Sequence, residues 1–158
     1  MPFYKDAQGN LHELDDKSFE YLLPSGSVEI TDAEAAELQK PTAGQAKAVQ
    51  LEAINVACEK SIAAIKANYP ASEVLSWPKQ EDEARSYVAD PGAVTPLLDA
   101  LAEARGIDKA ELARRVILKA DAFAQYSGAT IGKRQALEDA LNALPADATV
   151  EQIAAIAW

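Results

Sequence analysis

The apolar residues between positions 45 and 68 recur with the spacing of a helix. Six of them are separated by 3, 4, 4, 3 and 4 residues: Leu51, Ile54, Cys58, Ile62, Ile65 and Tyr69. This spacing places all six on one face of an α-helix. The pattern therefore predicts a long helix over residues 45–68.

A second apolar row follows the same predicted helix. Val49, Val56 and Ala63 recur at intervals of seven residues. Two rows imply one of two arrangements. Either the helix buries one wide face within the chain, or it makes contacts on two sides, and the partner of the second row is another helix or another subunit. We predict a homodimer through this helix, with these three residues at the contact.

The first forty residues show a different pattern. Two short runs flank Gln8-Gly9-Asn10, and Gly and Asn supply the positive φ of a tight hairpin turn. Residues 19–23 and 27–30 repeat the pattern around Pro24-Ser25-Gly26, which indicates a third and a fourth strand. Such a small sheet is marginal alone.

A capping motif and a breaker segment follow the predicted sheet. Thr31 precedes Glu34 by three residues, which predicts a capping box and a helix Asp32–Gln39. Residues 41–44 contain both Pro41 and Gly44, so a linker is expected there. The predicted fold is mainly α: residues 1–40 form a small β-rich element with one short helix, and residues 45–158 form an α-helical domain.

Helix breakers divide the remainder of the chain. Pro70 should end the long helix, Ser72 should cap the next turn, and Pro78 should break or kink it before a helix over residues 79–88. Pro91-Gly92 indicates a turn.

The C-terminal helices have recognisable start and stop signals. Thr95 is the expected cap of a helix over residues 96–104 that ends at Gly106, and Asp108 is the expected cap of the next. That last long helix contains Gly128 and Gly132, which should bend or split it, and Thr149 begins a final short turn.

Charge narrows the classes of partner. The chain has 15 Lys and Arg against 25 Asp and Glu, a formal net charge of −10. Residues 1–45 hold three lysines and nine acidic residues, so −6 of this charge lies in the N-terminal region. Such a surface repels nucleic acid and anionic lipid, so neither is expected as a partner.

The cysteine content and the N-terminal segment indicate where the protein is made. Cys58 is the single cysteine, and the first ten residues lack the basic flank and apolar run of a signal peptide. Synthesis in the cytoplasm is expected. No apolar stretch approaches the roughly 18 residues of a membrane span.

Catalytic and metal-binding patterns are weak. His12 is the single histidine, and Cys58 lies on an apolar helix face, which favours a buried structural thiol. The segment from Gly128 to Arg134 resembles a phosphate-binding loop but has one spacer residue too few and no hydroxyl after the lysine. The acidic run 81–83 is expected on a solvated face. We therefore predict no enzyme, no metal and no cofactor, although two distant acidic residues that meet in the fold would suit a glycosidase.

Large apolar residues near chain breaks are candidates for partner contacts. Trp77 lies beside Pro78, and the chain ends with Ile153, Ile156 and Trp158. Exposed aromatic side chains often anchor protein partners, whereas buried ones fix helix ends. We predict that these four residues bind a partner, with core packing as the alternative.

Several sequence stretches carry a resemblance to a known family. FYKDAQGNLHELDD and FEYLLPSGSVEITDAEAAEL resemble the N-terminal region of phage tail-fibre assembly proteins. YPASEVLSWPKQEDEARSYVAD, TPLLDALAEARG, ILKADAFAQYSG and IGKRQALEDAL look like the helical C-terminal domain found in many such phage proteins, some of unassigned role. Together they cover most of the chain.

The resemblance implies a chaperone that binds the C-terminal region of the receptor-binding tail fibre and assists its folding or trimerisation. It implies no reaction and no cofactor. It places the protein in the host cytoplasm during assembly, and some members of the family stay attached to the virion tail. A structural cap or adaptor without a folding role is the alternative, and an enzyme acting on a surface polymer is the third class.

Overall fold

The computed structural model describes all residues from Met1 to Trp158. The chain forms two compact units, Met1–Ala46 and Lys47–Trp158. Helix accounts for 68% of the residues, and the strands form one small antiparallel sheet at the N-terminus. The predicted fold class, mainly α with a small N-terminal β element, is confirmed.

The sheet of the first unit has three strands. These are β1 (Phe3–Lys5), β2 (Leu11–Glu13) and β3 (Val28–Ile30), in the order β2-β1-β3. The predicted hairpin joins β1 to β2, and Gly9 adopts a φ of 90° in its turn. The Asp6 carboxylate accepts the backbone N–H groups of Gln8 and Asn10, which fixes the turn.

Of the two further predicted strands, the one over residues 27–30 is present as β3 and the one over residues 19–23 is absent. Residues 19–23 were expected to be extended, but the segment Lys17–Leu22 is a 3₁₀ helix. Asp16 caps this helix by accepting the N–H of Ser18, and its carbonyl accepts the N–H of Phe19. The N–H groups of Ser18 and Phe19 therefore have acceptors within the cap. In an extended strand these groups would need a neighbouring strand as their hydrogen-bond partner.

Both helices near the predicted linker begin with a capping box. Helix α1 (Asp32–Gln39) has the predicted bounds and the predicted pairing of Thr31 with Glu34. Helix α2 (Ala43–Lys66) begins two residues earlier than predicted, because Thr42 and Gln45 exchange the same pair of hydrogen bonds. The linker is therefore shorter than the sequence indicated.

Helix α3 (Ala71–Ala89) continues through Pro78, so the predicted break is wrong, and the alternative, a kink, stays a prediction. Ser72 does not cap it, since Pro70 occupies the N-cap position without a side-chain hydrogen bond. A proline inside a helix costs about 3 kcal/mol. The buried packing of this helix at Glu83 and Ala84 offsets that cost.

Three further helices complete the second unit. They are α4 (Pro96–Arg105), α5 (Lys109–Ala143) and α6 (Val150–Ala154). Gly106 ends α4 with a φ of 61°, Asp108 caps α5, and Thr149 caps α6, all as predicted. The glycines do not split α5, because each costs only about 1 kcal/mol and Thr130 and Leu141 are buried on the same helix. The alternative, a bend at the glycines, stays a prediction.

The buried side chains of the second unit lie at two places along α5. One core joins α3, α4 and the start of α5 through Ala84, Leu98, Ala102, Leu112 and Ala113. Toward the other end, side-chain hydrogen bonds join α2 to α5 and to the segment that follows α6. Buried residues on α2, α5 and α6 there are Ile54, Cys58, Leu141 and Ile153.

Candidate partner-binding surfaces

Trp77 lies in an aromatic cluster. Its ring is 5.1 Å from that of Tyr69 and 5.7 Å from that of Phe123, both edge to face. Lys66 and Lys119 lie over the rings of Phe123 and Tyr69, at 5.9 and 5.7 Å. The indole is half-buried, so it packs α3 against α5 and still presents part of its surface to solvent.

The three C-terminal candidates have different environments. Ile153 is only 1% exposed and offers no surface to a partner in this conformation. Ile156 is half-buried, and its carbonyl accepts a hydrogen bond from Gln50 at 2.8 Å. Trp158 is 36% exposed, and the Lys133 ammonium lies 4.4 Å from its ring.

The candidates form two patches rather than one. Trp77 contacts Phe123 of α5, and Trp158 contacts Lys133 of the same helix. Ten residues separate Phe123 from Lys133, or about 15 Å along the helix axis. A single small ligand cannot contact both patches, so partner binding at these residues needs an extended surface. That role stays a prediction for Trp77, Ile156 and Trp158.

The second apolar row of α2 faces solvent. Val49 is 70% exposed, Val56 is 55% exposed, and Ala63 is also exposed. Ile54 and Cys58 are buried on the opposite side, which confirms the predicted burial of the thiol. The row is therefore not covered by another helix of the chain, and the predicted homodimer stays a prediction.

Val56→Glu tests the homodimer. We expect the unmodified protein to dimerise in light scattering at high protein concentration, and the variant to stay monomeric, because two facing carboxylates would be brought together in an apolar contact. Leu75→Glu is the matched control, since Leu75 is 81% exposed on α3. A monomeric unmodified protein, or a dimeric Val56→Glu variant, would contradict the prediction.

The titratable groups of the hairpin form a structural network. His12 Nε2 lies 2.9 Å from Asp6 Oδ2, and Asn10 also donates to this carboxylate. The bonds from His12 and Asn10 hold the pKa of the Asp6 carboxyl well below its usual range. No group of three or more His, Cys, Asp or Glu side chains is placed to hold a metal ion.

A buried carboxylate joins α3 to α4, and sequence reasoning missed it. Glu83 was expected on a solvated face but is 1% exposed. Its Oε2 accepts the N–H of Leu98 at 2.8 Å, while its Oε1 lies 3.3 Å from Lys79 Nζ without a hydrogen bond. The helical spacing of Glu83 from Gln80 and Tyr87, both half-buried, was the available signal.

Two clefts lie beside β3 in the first unit. The α1 cleft, of about 220 Å³, is lined by Lys5, Ile30, Glu34, Glu37 and Leu38. The Tyr21 cleft, of about 260 Å³, is lined by Tyr4, Glu20, Tyr21 and residues 23–27. A hydrogen bond from the Tyr4 hydroxyl to Glu20 raises the pKa of Tyr4 to about 12.

Comparison with known proteins gives one partial match. The model of the HI1402 helical domain family matches residues 118–158, which comprise most of α5 and all of α6. This is about a quarter of the chain, so the match describes its C-terminal region alone. No curated protein and no solved structure matches the chain. None of the helices is both long and apolar enough to cross a bilayer.

Proposed function

We propose that this chain is a phage tail-fibre assembly chaperone, which binds the C-terminal region of a receptor-binding fibre and assists its folding or trimerisation. The observation that carries the proposal is the resemblance of both regions of the sequence to proteins of that class. The N-terminal stretches resemble the small acidic β element, and the stretches from Tyr69 to Leu141 resemble the helical domain.

The surface supports the proposal on physical grounds. Fibre tips are rich in intertwined strands, so free strand edges and apolar surface stay exposed while the chains assemble. A protein that covers such surfaces needs apolar contacts of its own together with good solubility. Here exposed apolar side chains such as Tyr21, Leu22 and Val28 lie on a unit with a charge of −6.

Co-expression with a receptor-binding tail-fibre protein tests the proposal. We expect soluble trimeric fibre when the two proteins are expressed together and aggregated fibre when the fibre is expressed alone. Size exclusion with light scattering measures the trimer fraction. The control adds the purified chain to fibre that has already folded.

The two halves of this experiment separate the chaperone from a structural cap. A chaperone raises the yield of trimer during synthesis, whereas a cap binds the finished trimer without changing its yield. Equal trimer yields with and without the chain would contradict the proposed function, whether or not the two proteins associate afterwards.

A further inference from the structure

The edge of the small sheet at β3 has no neighbouring strand. β1 lies at the centre of the sheet and pairs with both β2 and β3, so the outer side of β3 is free. Val28 on this strand is 64% exposed. The outward-facing backbone groups are those of Ser27, Glu29 and Thr31, and the N–H groups of Ser27 and Thr31 already donate to Pro24 and Glu34. Glu29 therefore supplies the free N–H to which another strand can bind.

The two clefts open on opposite faces of the sheet, and each is lined by a residue of β1. Phe3 and Lys5 point to one face and Tyr4 to the other, because side chains alternate along a strand. The α1 cleft contains Lys5 and Ile30 and the Tyr21 cleft contains Tyr4, so they open on different faces. The first includes Ile30, the last residue of β3, and the second includes Ser27, which directly precedes β3.

The spacing of the clefts matches the geometry of an added strand. Ile30 and Ser27 are three residues apart, which corresponds to about 10 Å along a strand. Residues three apart on a strand point to opposite faces. A fourth strand placed beside β3 would therefore direct one side chain into each cleft, with its backbone bonded to the edge.

The chemistry of the clefts differs. The α1 cleft is lined by the aliphatic side chains of Ile30 and Leu38 together with Lys5 and two glutamates of α1. The Tyr21 cleft combines the Glu20 carboxylate, the ring of Tyr21 and the hydroxyls of Ser25 and Ser27. An aliphatic side chain suits the first cleft, and a lysine or arginine suits the second, where it meets a carboxylate and an aromatic ring.

We infer that β3 binds an extended segment of another protein as a fourth strand, with an aliphatic residue in the α1 cleft and a basic residue three positions away in the Tyr21 cleft. The inference rests on the proposed function only for the natural partner, which is then a strand of the unassembled fibre.

Charge argues against a second copy of this chain as the occupant. Two copies would bring together units that each carry −6, and antiparallel pairing of two β3 strands centred on Glu29 would place this residue opposite its own copy. A segment that carries a lysine or arginine instead reduces the local charge. The occupant is thus a different, basic chain.

Synthetic peptides and the full-length protein test the edge directly. The probe is an eight-residue threonine peptide with Ile and Arg three positions apart, made in both orders because a strand adds in either direction. NMR of the labelled protein should show binding at the amides of β3. A control peptide with Ile and Arg two positions apart places both on one face, and we expect it to bind about tenfold more weakly.

N-methylation of the better peptide distinguishes strand addition from loose contact. Alternate N–H groups of an added strand point toward the edge and away from it. Methylation of one alternate set should weaken binding at least about tenfold, and methylation of the other set should leave it nearly unchanged. Equal effects of the two sets, or no binding, would overturn the inference.

Variants link the edge to the fibre. Leu38→Asp and Glu20→Gln should each weaken peptide binding, whereas Leu22→Asp and Glu13→Gln, outside both clefts, should not. If the cleft variants bind no peptide and still raise the yield of fibre trimer, the edge is not the client surface and the proposed function stands. If the edge binds peptides as described but the chain never raises the trimer yield, the inference stands and the proposed function fails.

Discussion

Glu83→Ala is expected to lower the free energy of unfolding by about 3 kcal/mol. The substitution leaves the N–H of Leu98 buried without an acceptor and creates a cavity between α3 and α4. It also removes one of the two carboxylates near Lys79, but that ammonium is largely exposed and keeps Asp82 at 3.5 Å. The loss therefore comes from the buried helix end rather than from the ion pair.

Urea unfolding followed by circular dichroism measures this loss, with two controls. Glu83→Gln keeps an oxygen that can accept the N–H of Leu98, so it should cost clearly less than the alanine variant. Asp82→Ala, one position away with a side chain that is 71% exposed, should change stability by less than about 0.5 kcal/mol. A Glu83→Ala variant as stable as Asp82→Ala would contradict the role assigned to the carboxylate.

The N-terminus of α4 lacks a local side-chain cap, so a residue distant in the sequence must accept its hydrogen bond. Thr95 occupies the N-cap, but its side chain makes no cap hydrogen bond and its hydroxyl has no partner. Pro96 follows, and proline has no N–H to satisfy. The Glu83 carboxylate takes the bond that Thr95 would normally make, and its negative charge is also favourable at the positive end of the helix. One side chain thus caps α4 and fixes its position against α3.

Local motifs in the sequence predicted local structure well. The hairpin at Gly9, the capping box of Thr31, the cap of Asp108 and the terminator Gly106 all appear where the sequence placed them. Each of these depends on hydrogen bonds or backbone angles within about four residues. Such interactions depend only on residues that are close together in the sequence, so the sequence alone can predict them.

The wrong predictions at Pro78, at the glycines of α5 and at Glu83 share a cause in contacts between distant residues, whereas the missed 3₁₀ helix has a local cause in the Asp16 cap. Pro78 and Gly128 are helix breakers by propensity, yet α3 and α5 continue through them because packing elsewhere on each helix outweighs a local cost. Glu83 was assigned to solvent because its partner, Leu98, lies fifteen residues away. The spacing of residues on α3 could identify its buried face. It could not show that the start of α4 packs against that face.

The candidate surfaces show the same limit. Heptad spacing identified Val49, Val56 and Ala63 as a row separate from the buried face, and the structure leaves that row exposed. The two clefts beside β3 were not visible in the sequence, since each combines residues from three separate segments. They became visible once the register of β1 with β3 was known.

The last prediction separates core from surface at the C-terminus. Ile153→Ala should lower the free energy of unfolding by about 3 kcal/mol, because its side chain is 1% exposed and its removal leaves a cavity. Trp158→Ala should cost less than about 1 kcal/mol, since the ring is partly exposed and its contact with Lys133 is weak at a solvated site.

Fibre capture should show the opposite order if Trp158 contacts the client. At a temperature where both variants are fully folded, Trp158→Ala should capture less fibre than the unmodified chain, and Ile153→Ala should capture as much. Circular dichroism in urea gives the stabilities, and immobilised variants at equal density give the capture. If Trp158→Ala is as unstable as Ile153→Ala, the indole belongs to the core. If it is stable and captures fibre normally, Trp158 contacts no client, and the free edge at β3 becomes the first surface to test.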